Sequence, residues 1–165
     1  MGDRLHDGTL DDGRRFRTRN VVDEGNREAL AIEVGISLPS VRVMAVLEEL
    51  VALHGRPRAL RLDNGPELTS VVLTRWCAQH HIALHDIQPG KPQQNAYMER
   101  FNRTYRTEVL DAYVFHSLTE VCTLTAEWLL CYNTERPHTS LGRVPPLSFL
   151  PRLTTLPESP SQLST

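Results

Sequence analysis

Apolar residues gather first at Phe16 to Val22 and then, almost without a break, at Ala29 to Val34. These stretches read as a pair of strands, the second so continuously apolar that it is expected to be central in its sheet. Ahead of them lies a polar stretch through Asp11-Asp12-Gly13, a turn signal for a hairpin. Helical spacing takes over at Val43, Met44, Leu47, Leu50 and Val51, with Ser37 and Pro39 as the opening signal and Gly55 as the stop. Ala59 to Leu62 predicts a short strand that runs into the turn Asp63-Asn64-Gly65-Pro66. A helix from Thr69 or Ser70 to about His80 and a strand from Ile82 to Ile87 follow. After a loop at Gln88 to Pro92 come a long helix, about Gln94 to Leu110, and a second, Ser117 to about Asn133. Ser117 and Glu120 are spaced as a capping box for the latter. Its apolar stripe is Leu118, Val121, Thr125, Trp128 and Tyr132. The order is three strands, helix, strand, helix, strand, helix, helix, which predicts an α/β fold with a mixed five-stranded sheet and helices on both faces. Residues 151–165 are rich in Pro, Ser and Thr and read as a flexible tail beyond a single domain over 1–150.

Two acids stand out by position. Asp63 ends a short apolar strand, where α/β sheets gather side chains into a crevice. Glu99 sits on the long helix with 35 residues between the two. Helical geometry groups Asn95, Glu99, Asn102, Arg103 and Arg106 on one face and sets Met98, Phe101, Tyr105 and Val109 on the other. Converging carboxylates can hold divalent metal, and neighbouring arginines can hold phosphates. The plainer reading is that Glu99 pairs with Arg103 one turn away and that Asp63 stabilises its turn.

Composition narrows the classes. The chain has 165 residues, 40% hydrophobic and 23% charged, which is ordinary for one globular domain. No apolar stretch is long enough for a membrane span or a signal peptide. Cys77, Cys122 and Cys131 lack metal or disulfide spacing and read as buried free thiols of a reducing cytoplasm. A net charge of −2 argues against binding nucleic acid by charge excess alone. Its kind matters more, because Lys91 is the only lysine and the other cations are arginines, suited to phosphate. His80, His81 and His85 straddle a helix end and a strand without ligand partners at zinc spacing. Trp76 and Trp128 fall on apolar helix faces and read as core.

Three segments, in order, resemble the integrase core of DDE transposases, most closely the second-reading-frame transposases of bacterial insertion sequences. They are Asp63-Asn64-Gly65-Pro66-Glu67, the run from Gln88 through Asn95 and Glu99 to Arg103, and Tyr132-Asn133-x-x-Arg136-Pro137-His138. The resemblance spans about Asp3 to Leu150. It implies an RNase H-like fold, Mg²⁺ or Mn²⁺ as cofactor, and cleavage of DNA at element ends followed by strand transfer into target DNA. It makes Asp3, Asp63 and Glu99 the metal-binding catalytic acids, with Asp3 placed by its position on the opening strand. Lys91, Asn95, Arg100, Arg103 and Arg106 become candidate DNA contacts. The implied partners are DNA and either further copies of the chain or a full-length transposase, with no membrane. Asp3 stands two residues from the start and is followed by Arg4, where the family has an apolar residue. An N-terminally truncated opening strand is therefore expected to hold Asp3 loosely. The alternative function is a catalytically inactive remnant with residual nucleic-acid binding.

Overall fold

The computed structural model describes residues 2–62, 71–86 and 96–149. Strands β1 (Gly2–Thr9), β2 (Arg15–Val22) and β3 (Ala29–Gly35) form an antiparallel meander, and α1 (Ser40–His54) follows. Next come β4 (Ala59–Leu62), α2 (Val71–Gln79) and β5 (Ala83–Asp86), then α3 (Ala96–Tyr105), which runs on through a π-helical turn, Arg106–Leu110. Helix α4 (Leu118–Thr134) and the single turn α5 (Pro146–Phe149) complete the described chain. The sheet order is β3-β2-β1-β4-β5, with β4 parallel to β1 and β5 parallel to β4. This is the mixed five-stranded sheet that the element order predicts.

The position of β3 differs from expectation, because it lies at the edge and β1 takes the centre. Its apolar run has another cause. Ile32 and Val34 pack with α3 and α4 on one side, while Arg42 of α1 pairs with Glu33 on the other. A strand covered on both faces reads as continuously apolar wherever it stands in the sheet.

Two cores lie on opposite faces. Val43 and Leu47 of α1 and Leu73, Trp76 and Cys77 of α2 close over Leu60 of β4. On the other face, Phe16 packs with Tyr105, Val109 and Val121, and Val22 packs with Met98, Phe101 and Tyr132. Burying an aliphatic or aromatic side chain of this kind stabilises by about 1.5–3 kcal/mol. Helices α1 and α2 thus cover one face, and α3 and α4 the other.

Local signals set most boundaries. Helix α1 begins at Ser40 and not Ser37, and its N-cap is Pro39 with extended backbone and no side-chain cap bond. Proline disfavours helical backbone at the residue before it, so Leu38 cannot join the helix. At the other end Gly55 takes φ 80° and donates its N–H to Val51 O, as a glycine stop allows. The expected hairpin forms around Asp11-Asp12-Gly13, with Gly13 N donating to Leu10 O at 3.0 Å. Half of the expected capping box forms, with Ser117 Oγ accepting from Glu120 N. The Glu120 carboxylate reaches one residue further back than the box requires and accepts from His116 N at 2.8 Å. Of the cysteines only Cys77 is buried; Cys122 and Cys131 lie on the exposed side of α4, a correction to the expectation of three buried thiols. The residue types around α4 allow either face, and packing decides.

Candidate active site

Helix α3 owes its position to a two-faced sequence. Met98, Phe101 and Tyr105 are 1%, 1% and 0% exposed, and between them Asn102 is 3% exposed. Asn102 therefore belongs to the sheet-facing side, not to the outer face with Glu99. Its Oδ1 accepts a 2.8 Å hydrogen bond from Asn20 Nδ2 on β2. Thr18 and Asn20 are also buried beneath α3, so the sheet presents a polar layer to this part of the helix. Burial pushes the Tyr105 phenol up to about 12, and its OH shares a 2.8 Å hydrogen bond with Thr125 Oγ1 of α4.

Glu99 lies one helical turn before Asn102 and is half-buried. It helps line a groove of about 350 Å³ with Ala96, Arg100, Arg103 and Thr104. Arg100 and Arg103 are exposed. A carboxylate beside two guanidinium groups suits a surface that meets phosphates. The groove is continuous in its lining with a second hollow of about 150 Å³, because Arg100 and Thr104 belong to both. Arg106 lies outside the groove's lining, in the π-helical turn, where it pairs with Asp111 at 3.6 Å.

The other sequence-derived residues divide into two groups. Asp63, Lys91 and Asn95 lie outside the described residues. Asp3 stands on β1 opposite Val21 of β2 and level with Leu62 of β4, the residue before Asp63. Its neighbour Arg4 stands opposite Asn20, the partner of Asn102. Cross-strand partners share a face of the sheet and successive residues alternate. Asp3 therefore falls on the face of α1 and α2, and position 4 falls on the face of α3. Among the described residues no three His, Cys, Asp or Glu side chains come together as a metal-binding group. His80 instead stacks on Trp76, ring centroids 4.6 Å apart.

The segment from Tyr132 to His138 acts as a brace for this region. Tyr132 OH shares a 2.8 Å hydrogen bond with Tyr97 OH, and Tyr97 OH donates to Arg27 O at 2.9 Å. Asn133 exchanges two bonds of 2.9 Å with the backbone N–H and C=O of Ala29, holding the start of β3. Arg136 donates to both oxygens of Glu108 at 2.5 Å, and Trp128 Nε1 donates to the same carboxylate at 2.7 Å. Although burial works against it, these bonds hold the Glu108 carboxyl below its ordinary range. His138 packs edge-on against Tyr132 with centroids 4.9 Å apart. Burial first, then Arg136 and Arg27, push its imidazole below the usual value. Helical periodicity reveals none of these roles; the sequence marks the segment only through its resemblance to the integrase-core motif.

The profile of the integrase core domain family matches residues 1–92, more than half of the chain, and a second integrase core profile matches residues 80–146. The chain belongs to the integrase core domain family. Two of its relatives are proteins of bacterial insertion elements. An uncharacterized 39.2 kDa protein of insertion element IS476 from Xanthomonas euvesicatoria is 41% identical over 140 residues, covering 85% of this chain and 40% of that protein. An uncharacterized 31.7 kDa protein of IS407 from Burkholderia multivorans is 36% identical over 152 residues, covering 92% of this chain and 55% of that protein. The integrase core thus spans about half the length of these curated relatives.

Solved structures agree on the fold. A chain in the simian T-cell lymphotropic virus intasome with PP2A regulatory subunit B56γ superposes with a TM-score of 0.72 at 18% identity, over 99% of this chain and 59% of that one. The magnesium complex of the HTLV-2 integrase catalytic core, in its trimeric form, gives 0.65 at 15% identity, over 87% and 90%. The architecture is the RNase H-like fold of retroviral integrase catalytic cores. No helix among the described residues is long and apolar enough to cross a membrane.

Proposed function

We propose that this chain is the DNA-engaging core of an insertion-sequence transposase, acting in metal-dependent strand cleavage and strand transfer. The observation that carries the reading is Glu99, half-buried in a groove that Arg100 and Arg103 also line, on the helix that the buried Asn20–Asn102 pair fixes to the sheet. Asp3 is the strand-one acid by family position, but its register sets it on the face of α1 and α2, so the acids proposed for the chemistry are Asp63 and Glu99. Together they would hold Mg²⁺ or Mn²⁺, which when bound activates a water or a 3′-hydroxyl and stabilises the leaving oxygen. Arg100 and Arg103, with Lys91 and Asn95, hold the DNA backbone beside the acids. Arg106, paired with Asp111, sits further along as an outlying contact. The partners are element ends and target DNA, in an assembly with further copies or a full-length transposase in the cytoplasm.

A second reading is a core that binds DNA and does not turn over. The register of β1 favours it, because Asp3 falls on the sheet face away from α3. The experiment is Mn²⁺-dependent cleavage and strand transfer by the full chain on duplexes carrying the element's ends. Cleavage abolished by Glu99→Gln with DNA binding retained supports the catalytic reading. DNA binding with no cleavage by the parent chain supports the second, and loss of both leaves neither standing.

A further inference from the structure

The face on which each β1 residue lies follows from three separate contacts. The β1–β2 ladder runs without a shift from Gly2↔Val22 to Thr9↔Arg15. Gly8 stands opposite Phe16, and a Cβ built on it would lie 2.3 Å from the Phe16 ring. That ring packs with Tyr105 and Val109, so the even positions of β1 share the face of α3. On the odd side Asp7 pairs with Arg17 at 3.3 Å. Across the sheet, Gly2 is level with Arg61 and Asp3 with Leu62, while Leu60 packs among α1 and α2. All three place Asp3 on the α1 and α2 face. The register is also pinned, because a slip by one residue would bring a residue with a Cβ against the Phe16 ring and exchange every face.

We infer that Arg4, and not Asp3, is the residue that β1 contributes to the face carrying Glu99, where it binds a DNA phosphate in place of a metal-binding acid. Arg4 stands opposite Asn20, which bonds Asn102 one turn beyond Glu99. Its position is thus about one strand spacing (~4.8 Å) from the strand that α3 touches. Glu99 is one helical turn (~5.4 Å) further along. An arginine at this register position adds a cation to the α3 side of the sheet and leaves one carboxylate fewer for a divalent ion. The inference rests on α3 being the DNA-facing helix, but the register can be tested without DNA.

The test is calorimetric titration of the full chain with Mn²⁺, alongside binding of a short duplex measured without metal. Arg4→Asp should gain Mn²⁺ affinity by at least about tenfold, since affinity follows the charge count of the ligand set. Asp3→Asn should leave Mn²⁺ binding unchanged, and Arg4→Ala should weaken the duplex and lower its salt slope by about 1. A fall in Mn²⁺ affinity with Asp3→Asn, or no gain with Arg4→Asp, overturns the inference. If Arg4→Asp does not fold, oxidative crosslinking reads the face directly. Arg4→Cys with Glu99→Cys should crosslink and Asp3→Cys with Glu99→Cys should not, and the reverse pattern overturns the inference. A parent chain that binds no duplex sinks the DNA reading, while the Mn²⁺ and crosslinking results still decide the register.

Discussion

Asn102, one turn beyond Glu99, accepts a 2.8 Å hydrogen bond from Asn20 in the buried layer between α3 and the sheet. A polar pair in such a place fixes how the helix sits, because any slide of α3 strands two amides away from water. The pair is itself incompletely bonded, with Asn20 Oδ1 and Asn102 Nδ2 lacking partners among the described residues. Asn102→Ala should cost about 1–3 kcal/mol, since it leaves the Asn20 amide buried alone. The double variant Asn20→Leu, Asn102→Leu should recover much of that loss. Urea unfolding of the single and double variants measures the coupling, and additive losses would show that the pair does not act as a unit.

The Glu108 carboxylate ties the π turn after α3 to Trp128 of α4 and to Arg136 beyond it. Its depressed pKa means that the folded state favours the ionised form. That stability is fully present above the ordinary carboxyl value of 4.5 and is lost as pH falls through the lower folded value. Glu108→Gln should lower stability by roughly 1 kcal/mol near neutrality, a modest figure because the pair is more than a third exposed and salt-screened. It should also flatten the acid limb of a stability-against-pH curve below about pH 4.5. An acid limb identical to the parent's would assign the acid sensitivity to other groups.

Much of this fold can be read from residues whose effect is local. The Ser117 cap, the Asp11-Asp12-Gly13 turn and the Gly55 stop act within a few residues of themselves and form as expected. What sequence pattern could not supply is which distant element covers which face. The apolar run of β3 suited a central strand, yet helices on both sides of an edge strand produce the same pattern. Asn102 reads as a surface polar residue until Asn20 is found opposite it, 82 residues away along the chain. The faces of Asp3 and Arg4 are set by strand register, which Gly8 and Phe16 fix through a contact invisible to periodicity.

His138 gives a pH dependence of its own. Burial and two nearby arginines disfavour its protonated form, so the unfolded chain binds the proton more readily than the folded one. Stability from this residue is complete above the unfolded imidazole value of 6.5 and declines as pH falls below it. His138→Phe keeps the edge-on packing against Tyr132 and cannot titrate, so it should remove that slope between about pH 6.5 and pH 5. Unfolding midpoints across pH 5–8 decide the point, and a slope unchanged in the variant would place its origin elsewhere.

The arginines of α3 should divide by position and not merely by charge. Arg100 and Arg103 line the Glu99 groove, whereas Arg106 lies beyond its lining and pairs with Asp111. If DNA lies along the groove, each groove arginine neutralises a phosphate and releases its counterion. Arg100→Ala and Arg103→Ala should then weaken duplex binding and lower the dependence of log affinity on log salt by about 1 each. Arg106→Ala removes the same formal charge at a site already neutralised by Asp111, so its slope should stay near the parent's. Fluorescence anisotropy between 50 and 200 mM salt, about the range over which phosphate contacts dominate, separates the three. Equal changes for all three would mean that the duplex senses the net charge of α3 and no particular groove.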